Sequence, residues 1–369
     1  MLARKDRNSL LLSNSEHWVH LARIAGADQG KVVIDRLTEL PSNNEESIAS
    51  WIRESFPDRS GYLPAYCSFF PPDRLLMREP VTTRRLAEPG YLPTLVAEHA
   101  KVPSAKEWHA ELLNPSDGMP LTPESTQRIG LVLGVPWAGI REIQARLKQL
   151  WVRPRSLELG TLLKFGGIAR HMGMTAYPDG VAICEISRLQ TRLYLIGKDG
   201  VHTPPALPHG LLSVQEAAMK ELGAPDIATA TSELESPTES LLAHGRRLVR
   251  MLSRHLRPAI DYFEMQTGQR IGSLHCGYLP AGLSWLEEAL TKAVDLDPFV
   301  IDFPAWLEAV KIQVAGDSQP PTASWISTLS AVAQLAPATA AAATASPVAS
   351  IESAPPTTAT PEPGEPGNG

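Results

Sequence analysis

Two stretches decide how the chain is read: LLLSNSEHWVHLARI, residues 10–24, and AICEISRLQTRLYLI, residues 182–196. Each has an apolar run, a short polar joint and a second apolar run, the pattern of two strands folded back as a hairpin. In the first, strands are expected over residues 9–13 and 17–25, joined at Asn14 and Ser15. In the second, the joint spans Glu185 to Arg188, and a further turn follows at Lys198 to Gly200. The copies share pattern more than identity, and a repeat of this size implies two similarly built halves.

Outward from the first hairpin, KVVIDRL after Gly30 reads as a third strand. SIASWIRESF reads as a helix, with Ile48, Trp51, Ile52 and Phe56 at helical spacing. YCSFF and RLLMREPV read as a strand pair turning at Pro71 to Asp73. From about 84 to 150 the style changes to a helix near Leu92 to His99, strands at WHAELL and RIGLVLGVP, and a helix WAGIREIQARLKQLW. That helix puts Ile140, Ile143, Leu147 and Leu150 on one face, so the region reads as a small inserted α+β unit. RPRSLEL as a strand and GTLLKFGGIARHMG as a helix close the first half.

In the second half, LLSVQEAAMKEL reads as a helix and APDIATATSELESPTE as a polar connection. Residues 239–267 read as one long helix kinked at Pro258. SLHCGYLPAGLSWLEEALTKAVDL, residues 273–296, reads as strand, glycine turn and amphipathic helix, followed by PFVIDFP as a last strand and a short helix near 323–335. Residues 337–369 are mostly Ala, Pro and Thr with three glutamates, too little apolar surface to offset chain entropy, and are expected to be disordered. Deleting residues 338–369 is therefore expected to leave the melting temperature unchanged in a calorimetric scan.

The 369 residues are 43% apolar with a formal net charge of −6. That balance gives no general electrostatic case for nucleic acid or an anionic membrane, so any basic partner site must be local. The cysteines, Cys67, Cys184 and Cys276, sit in apolar runs without CxxC spacing and read as buried thiols of a reducing compartment. The LLL near the start is too short for a signal core, and no stretch approaches 18 uncharged apolar residues. A cytoplasmic protein without direct membrane insertion is expected.

Of Arg246, Arg247, Arg250, Arg254 and Arg257, several lie opposite the leucines of the long helix, and the group reads as a solvated face. The pairs His99/His109 and His202/His209 lack metal-ligand spacing. GxSxG, HExxH and Walker patterns are absent.

Residues 9–335 resemble the PilM family of type IV pilus assembly proteins. LLLSNSEHWVHLARI is similar to the family's first phosphate loop, with Ser13 at the aspartate and Ser15 at the glycine. AICEISRLQTRLYLI is similar to the second, with Glu185 at the aspartate and Ser187 at the glycine. LPHGLLSVQEAAMKELG keeps Gly210 of a glycine pair, and the 273–296 stretch keeps Gly277, Pro280, Gly282, Leu283 and Leu286 of the adenosine loop. The resemblance implies an α/β, actin-like and Hsp70-like two-lobed fold of duplicated mixed sheets. It implies a first lobe over 1–177 carrying the insert, a second over 178–336, and the tail over 337–369.

Asn14, Ser15, Glu185, Ser187, Gly210, Gly277 and Gly282 become vestigial nucleotide loops under this resemblance. An actin-like ATPase needs a carboxylate in each hairpin for the magnesium shell and glycine amides for phosphate, and Ser13 supplies no charge. Ser15 and Ser187 are expected to strain loops that favour positive φ, at roughly 1 kcal/mol each. Tyr278 and Leu279 are expected to enter the adenosine space, and Glu185 to be solvated at a strand end. No catalytic residue or metal ligand is assigned, and no cofactor is expected, with ATP and magnesium the pair if nucleotide binding is retained.

The implied function is a scaffold of a type IV pilus or related type II secretion machine, peripheral to the inner membrane. It would hold the cytoplasmic N-terminal segment of a PilN-like partner in a groove of the first lobe and contact assembly motor ATPases. A homo-oligomer stays open and nucleic acid is not a partner. The alternative is an active ATPase or small-molecule kinase using ATP and magnesium, with Glu185 as the metal carboxylate.

Overall fold

The computed structural model describes residues 8–28, 30–101, 105–277, 279–315 and 321–333. Tyr278 and the tail from 337 lie outside them. β1 (Ser9–Asn14) and β2 (Trp18–Asp28) form the first hairpin, and β2 pairs antiparallel with β3 (Lys31–Pro41). α1 (Glu45–Ser55), capped by the Asn44 side chain, crosses back to β4 (Leu63–Phe69), which lies parallel to β1. The second copy repeats this. β9 (Gly180–Ile186) and β10 (Thr191–Gly197) form the hairpin, β11 (Gly200–His202) continues it, and β12 (Ile271–Gly277) lies parallel to β9. Both sheets thus read antiparallel, antiparallel, parallel across four strands. That shared order is the duplication the two hairpins pointed to.

The insert differs in extent from expectation. β5 (Leu75–Pro80) does not pair with β4 but joins β7 (Ile129–Pro136) and β6 (Trp108–Leu113) in a three-stranded sheet under α2 (Tyr91–Ala100). The insert sheet therefore begins near 75. α3 (Trp137–Gln149) then crosses to β8 (Val152–Leu159), the edge strand beside β4, and α4 (Gly160–Met174) follows.

Three differences fall in the second half. After α5 (Leu211–Leu222), residues 227–235 form α6 (Ile227–Glu235) rather than a polar connection, because Asp226 caps it by accepting the Thr229 amide at 2.8 Å. The long helix is two, α7 (Glu239–Leu248) and α8 (Arg250–Thr267), broken at Val249, while Pro258 lies inside α8 without ending it. PFVIDFP contributes only Pro298 to a two-residue strand, β13 (Asp297–Pro298), after α9 (Trp285–Val294); it then leads into α10 (Phe303–Ala309), capped by Asp302.

The chain then returns to the first sheet, although residues up to 336 were assigned to the second lobe. β14 (Ile312–Val314) pairs parallel with β3, and α11 (Ile326–Ala333) packs on α4. Fully buried Trp306 donates to the Gly167 carbonyl of α4 at 3.1 Å. Buried His20 is sandwiched between Trp18 (3.9 Å) and Trp325 (4.1 Å) and bonds Thr328 at 2.9 Å, tying this segment to the first hairpin.

Candidate functional site

The two hairpin turns close by the same device. The Ser15 Oγ donates to the Trp18 carbonyl (3.0 Å), and the Ser187 Oγ donates to the Gln190 carbonyl (2.9 Å); each serine amide bonds the same carbonyl at 2.9 Å. A serine side chain thus satisfies each turn internally. Neither serine has positive φ, so the strain expected at Ser15 and Ser187 is not there. Asn14 is not part of the cleft either: its Oδ1 accepts from Arg146 of α3, which also bonds the Ser42 carbonyl and Glu45.

Glu185 is buried, not solvated. Arg74, in the turn after β4, donates to it, as do Lys164 Nζ (3.1 Å) and Thr161 Oγ1 (3.1 Å to each oxygen) from α4. Burial alone raises its pKa, but the Arg74 and Lys164 charges override this and hold it at about 2. Three residues of the first half therefore grip one carboxylate of the second. The neighbouring chain adds to the grip, since Arg192 donates to the Pro72 carbonyl and Arg78 to Asp199 at 2.8 Å. Residues 71–78 strap the first half to the second sheet. In the first hairpin, Ser13 Oγ accepts from Ser68 at 2.7 Å.

The glycines are used in packing. Gly277 lies opposite Glu185 in the parallel β12 and β9 pair, and a Cβ there would collide with Lys164 Nζ. A Cβ on Gly282 would lie 2.7 Å from the Glu235 carbonyl oxygen, and one on Gly210 would overlap the Ser187 carbonyl. The first α5 amides, which at a helix start can hold an anion, are spent on the hairpin turn: Leu211 donates to Ser187 (3.0 Å) and Leu212 to Arg188 (2.9 Å). Leu279 packs on the second core rather than entering a ligand space, while Tyr278 is outside the described residues.

Glu185, Ser187, Gly210 and Gly277 do come together: Gly277 stands opposite Glu185, Gly210 packs against the Ser187 carbonyl, and Glu185 is bonded to Arg74 and Lys164. A hydrated magnesium needs an available carboxylate, and this one is already neutralised by two cations, so these residues do not fit the metal. Among the described residues no cluster of three His, Cys, Asp or Glu could hold a metal. Of the arginines, Arg247 pairs with Glu221 and Arg257 with Asp261, as suits a solvated face.

A site the sequence reading did not locate lies along β8. This strand ends the six-stranded sheet, so its outer backbone edge has no strand partner among the described residues. Beside Leu157, Glu158 and Leu159 opens a groove of about 1060 Å³. Trp137, Ile140 and Gln144 of α3 form one wall and Leu162, Ala169 and Arg170 of α4 the other; Glu111, Leu133 and Val135 of the insert sheet cover it. The signal available in sequence was Pro154 and two arginines in RPRSLEL, residues that suit an edge strand.

A solved PilM–PilN type IV pilus biogenesis complex matches 90% of this chain and 99% of its own, at 16% identity and a TM-score of 0.62. The chain shares the fold of that structure. Looser likenesses are to the cytoplasmic domain of EpsL, an inner-membrane component of the type II secretion system of Vibrio cholerae, and to a Bacteroides thetaiotaomicron protein of actin-like ATPase fold. The first has 13% identity, 59% and 74% coverage and TM-score 0.35; the second 8%, 89% and 97%, and 0.40. No protein-family model matches the sequence, and no curated protein matches it. No helix among the described residues is long and apolar enough to cross a membrane.

Proposed function

We propose that the chain is a scaffold of a type IV pilus or related secretion machine that holds the cytoplasmic N-terminal segment of a PilN-like inner-membrane protein. The observation that carries this reading is the groove: an unpaired strand edge between two largely apolar helix walls suits an extended peptide. Main-chain bonds to β8 would give affinity, and pockets for alternate side chains would give specificity. The likeness to a PilM–PilN complex supports the choice of partner. Nucleotide binding is weak or lost in this reading, because the cleft's charges are satisfied by the protein itself.

Anisotropy of a labelled peptide, carrying the N-terminal cytoplasmic residues of a PilN-like protein from the same source, tests the groove. Ala169, exposed on α4 and lining it, is the place to obstruct. Ala169→Trp is expected to weaken binding at least tenfold, about 1.4 kcal/mol, with an unchanged melting temperature. Wild-type affinity in that variant would remove the groove from the reading. Magnesium–ATP titration is expected to give no micromolar binding. If binding were micromolar and Glu185→Ala and Gly277→Trp abolished it while still unfolding cooperatively above the assay temperature, the ATPase alternative would replace this proposal.

A further inference from the structure

The first lobe has a second surface that neither the cleft nor the groove uses. Because β4 and β8 are parallel, the crossovers through α1 and α3 return at the same end of the sheet. Tyr62 and Trp151, the residues just before those strands, stand ring to ring at 5.3 Å, 47% and 56% exposed. The Trp151 carbonyl accepts the Leu63 amide at 2.8 Å, which fixes the two turns together. Trp151 has φ 56°, a left-handed backbone that a bulky L residue adopts only at a cost. Neither burial nor local conformation explains a tryptophan at this position.

Charge is arranged around the pair. Arg53 ends α1, Lys148 ends α3, Arg59 lies in the turn before Tyr62, and Arg153 follows Trp151 in β8. None of these four bases has an ion pair among the described residues. The same stretches, residues 53–62 and 148–153, hold two acids, Glu54 and Asp58, against the four bases. On a chain of net charge −6, this end is locally basic and aromatic.

We propose that this end of the first lobe rests on an anionic lipid bilayer, with Tyr62 and Trp151 at headgroup level and the exposed Arg53, Lys148 and Arg153 over the phosphates; Arg59, whose Nη1 is buried, is left out of the contact. Tryptophan and tyrosine place an apolar ring and a polar edge where a bilayer is half wet. Bases near an anionic leaflet each strengthen binding about fivefold, and salt screens them. The contact is peripheral. It also suits the proposed partner, because β8 carries Arg153 at this end and lines the groove at the other, but it does not depend on that partner.

Co-sedimentation of the full chain with vesicles of one part phosphatidylglycerol to two parts phosphatidylethanolamine tests the idea, with phosphatidylcholine vesicles as reference. Binding to the anionic vesicles alone, weakened by salt, is expected. Arg153→Glu changes two charge units and is expected to lower the partition about 25-fold. Trp151→Gly relieves the left-handed backbone, so it is expected to keep or raise the melting temperature while lowering the partition at least fivefold. Arg254→Glu, on α8 of the second lobe, is expected to bind as wild type. No binding to anionic vesicles, or patch variants that bind as wild type, would overturn the proposal. Patch variants that weaken the peptide complex in a chain indifferent to vesicles would assign the surface to a protein partner and likewise refute it.

Discussion

Glu185→Ala is expected to destabilise the protein by about 3–5 kcal/mol, read as a lower urea midpoint at neutral pH. The substitution leaves Arg74 and Lys164 buried, their side chains 2% and 4% exposed, without the carboxylate that offsets their desolvation. The same physics makes the reverse change cheap. Glu185→Leu combined with Arg74→Met and Lys164→Met removes all three charges and is expected to be neutral or stabilising. The pH dependence follows from the sign of the shift. Glu185 falls from an ordinary 4.5 to about 2 in the folded protein, so its stabilisation, on the order of 3 kcal/mol, is complete above about pH 4.5. It is lost as pH falls toward 2, and Glu185→Gln should flatten that part of an acid titration. A Glu185→Ala cost below about 1 kcal/mol would mean that water reaches the cluster.

The duplication was legible because hairpins leave a local trace. Apolar runs of strand length with polar joints stand at residues 10–24 and 182–196 whatever packs against them. Less legible were features set by distant partners. β5 has the alternation of a strand next to β4, yet its edge bonds are made with β7, more than fifty residues on. α6 was hidden by its Thr and Ser content, while its signal, Asp226 as cap, lay in the open. The return of β14 and α11 to the first sheet has no local mark at all, since it depends on β3 offering a free edge and on Gly167 admitting Ile326.

The candidate site divides in the same way. Glu185, Ser187, Gly210 and Gly277 could be picked out by position, but not what holds them. Arg74 lies 111 residues from Glu185 in sequence and Lys164 lies 21 away on the far side of the cleft. A charge at a strand end reads as solvated until its partners are known. The groove is harder still, because it is the space left where an edge strand, two helices and an inserted sheet fail to close.

Gly210→Ala separates a glycine kept for a ligand from one kept for packing. Gly210 has φ −140°, extended backbone that any residue adopts, so its conformation does not require glycine. Its Cβ position is filled by the Ser187 carbonyl, main chain that cannot swing aside, and the Gln190 amide nitrogen would lie 2.7 Å away. Alanine must push α5 off the second hairpin and break the Leu211 and Leu212 bonds to Ser187 and Arg188. A cost of roughly 3 kcal/mol is expected from overpacking and those lost bonds, with the same loss of urea midpoint in the presence and absence of magnesium–ATP. Gly223→Ala is the useful contrast. Gly223 has φ +74° with nothing within 4 Å of its Cβ position, so alanine there costs only the left-handed conformation, about 1 kcal/mol. If Gly210 instead faced a nucleotide, alanine would leave the apo protein's stability intact and remove a stabilisation seen only with ATP. The two readings therefore differ in the unliganded protein, where the collision between Gly210 and Ser187 alone decides.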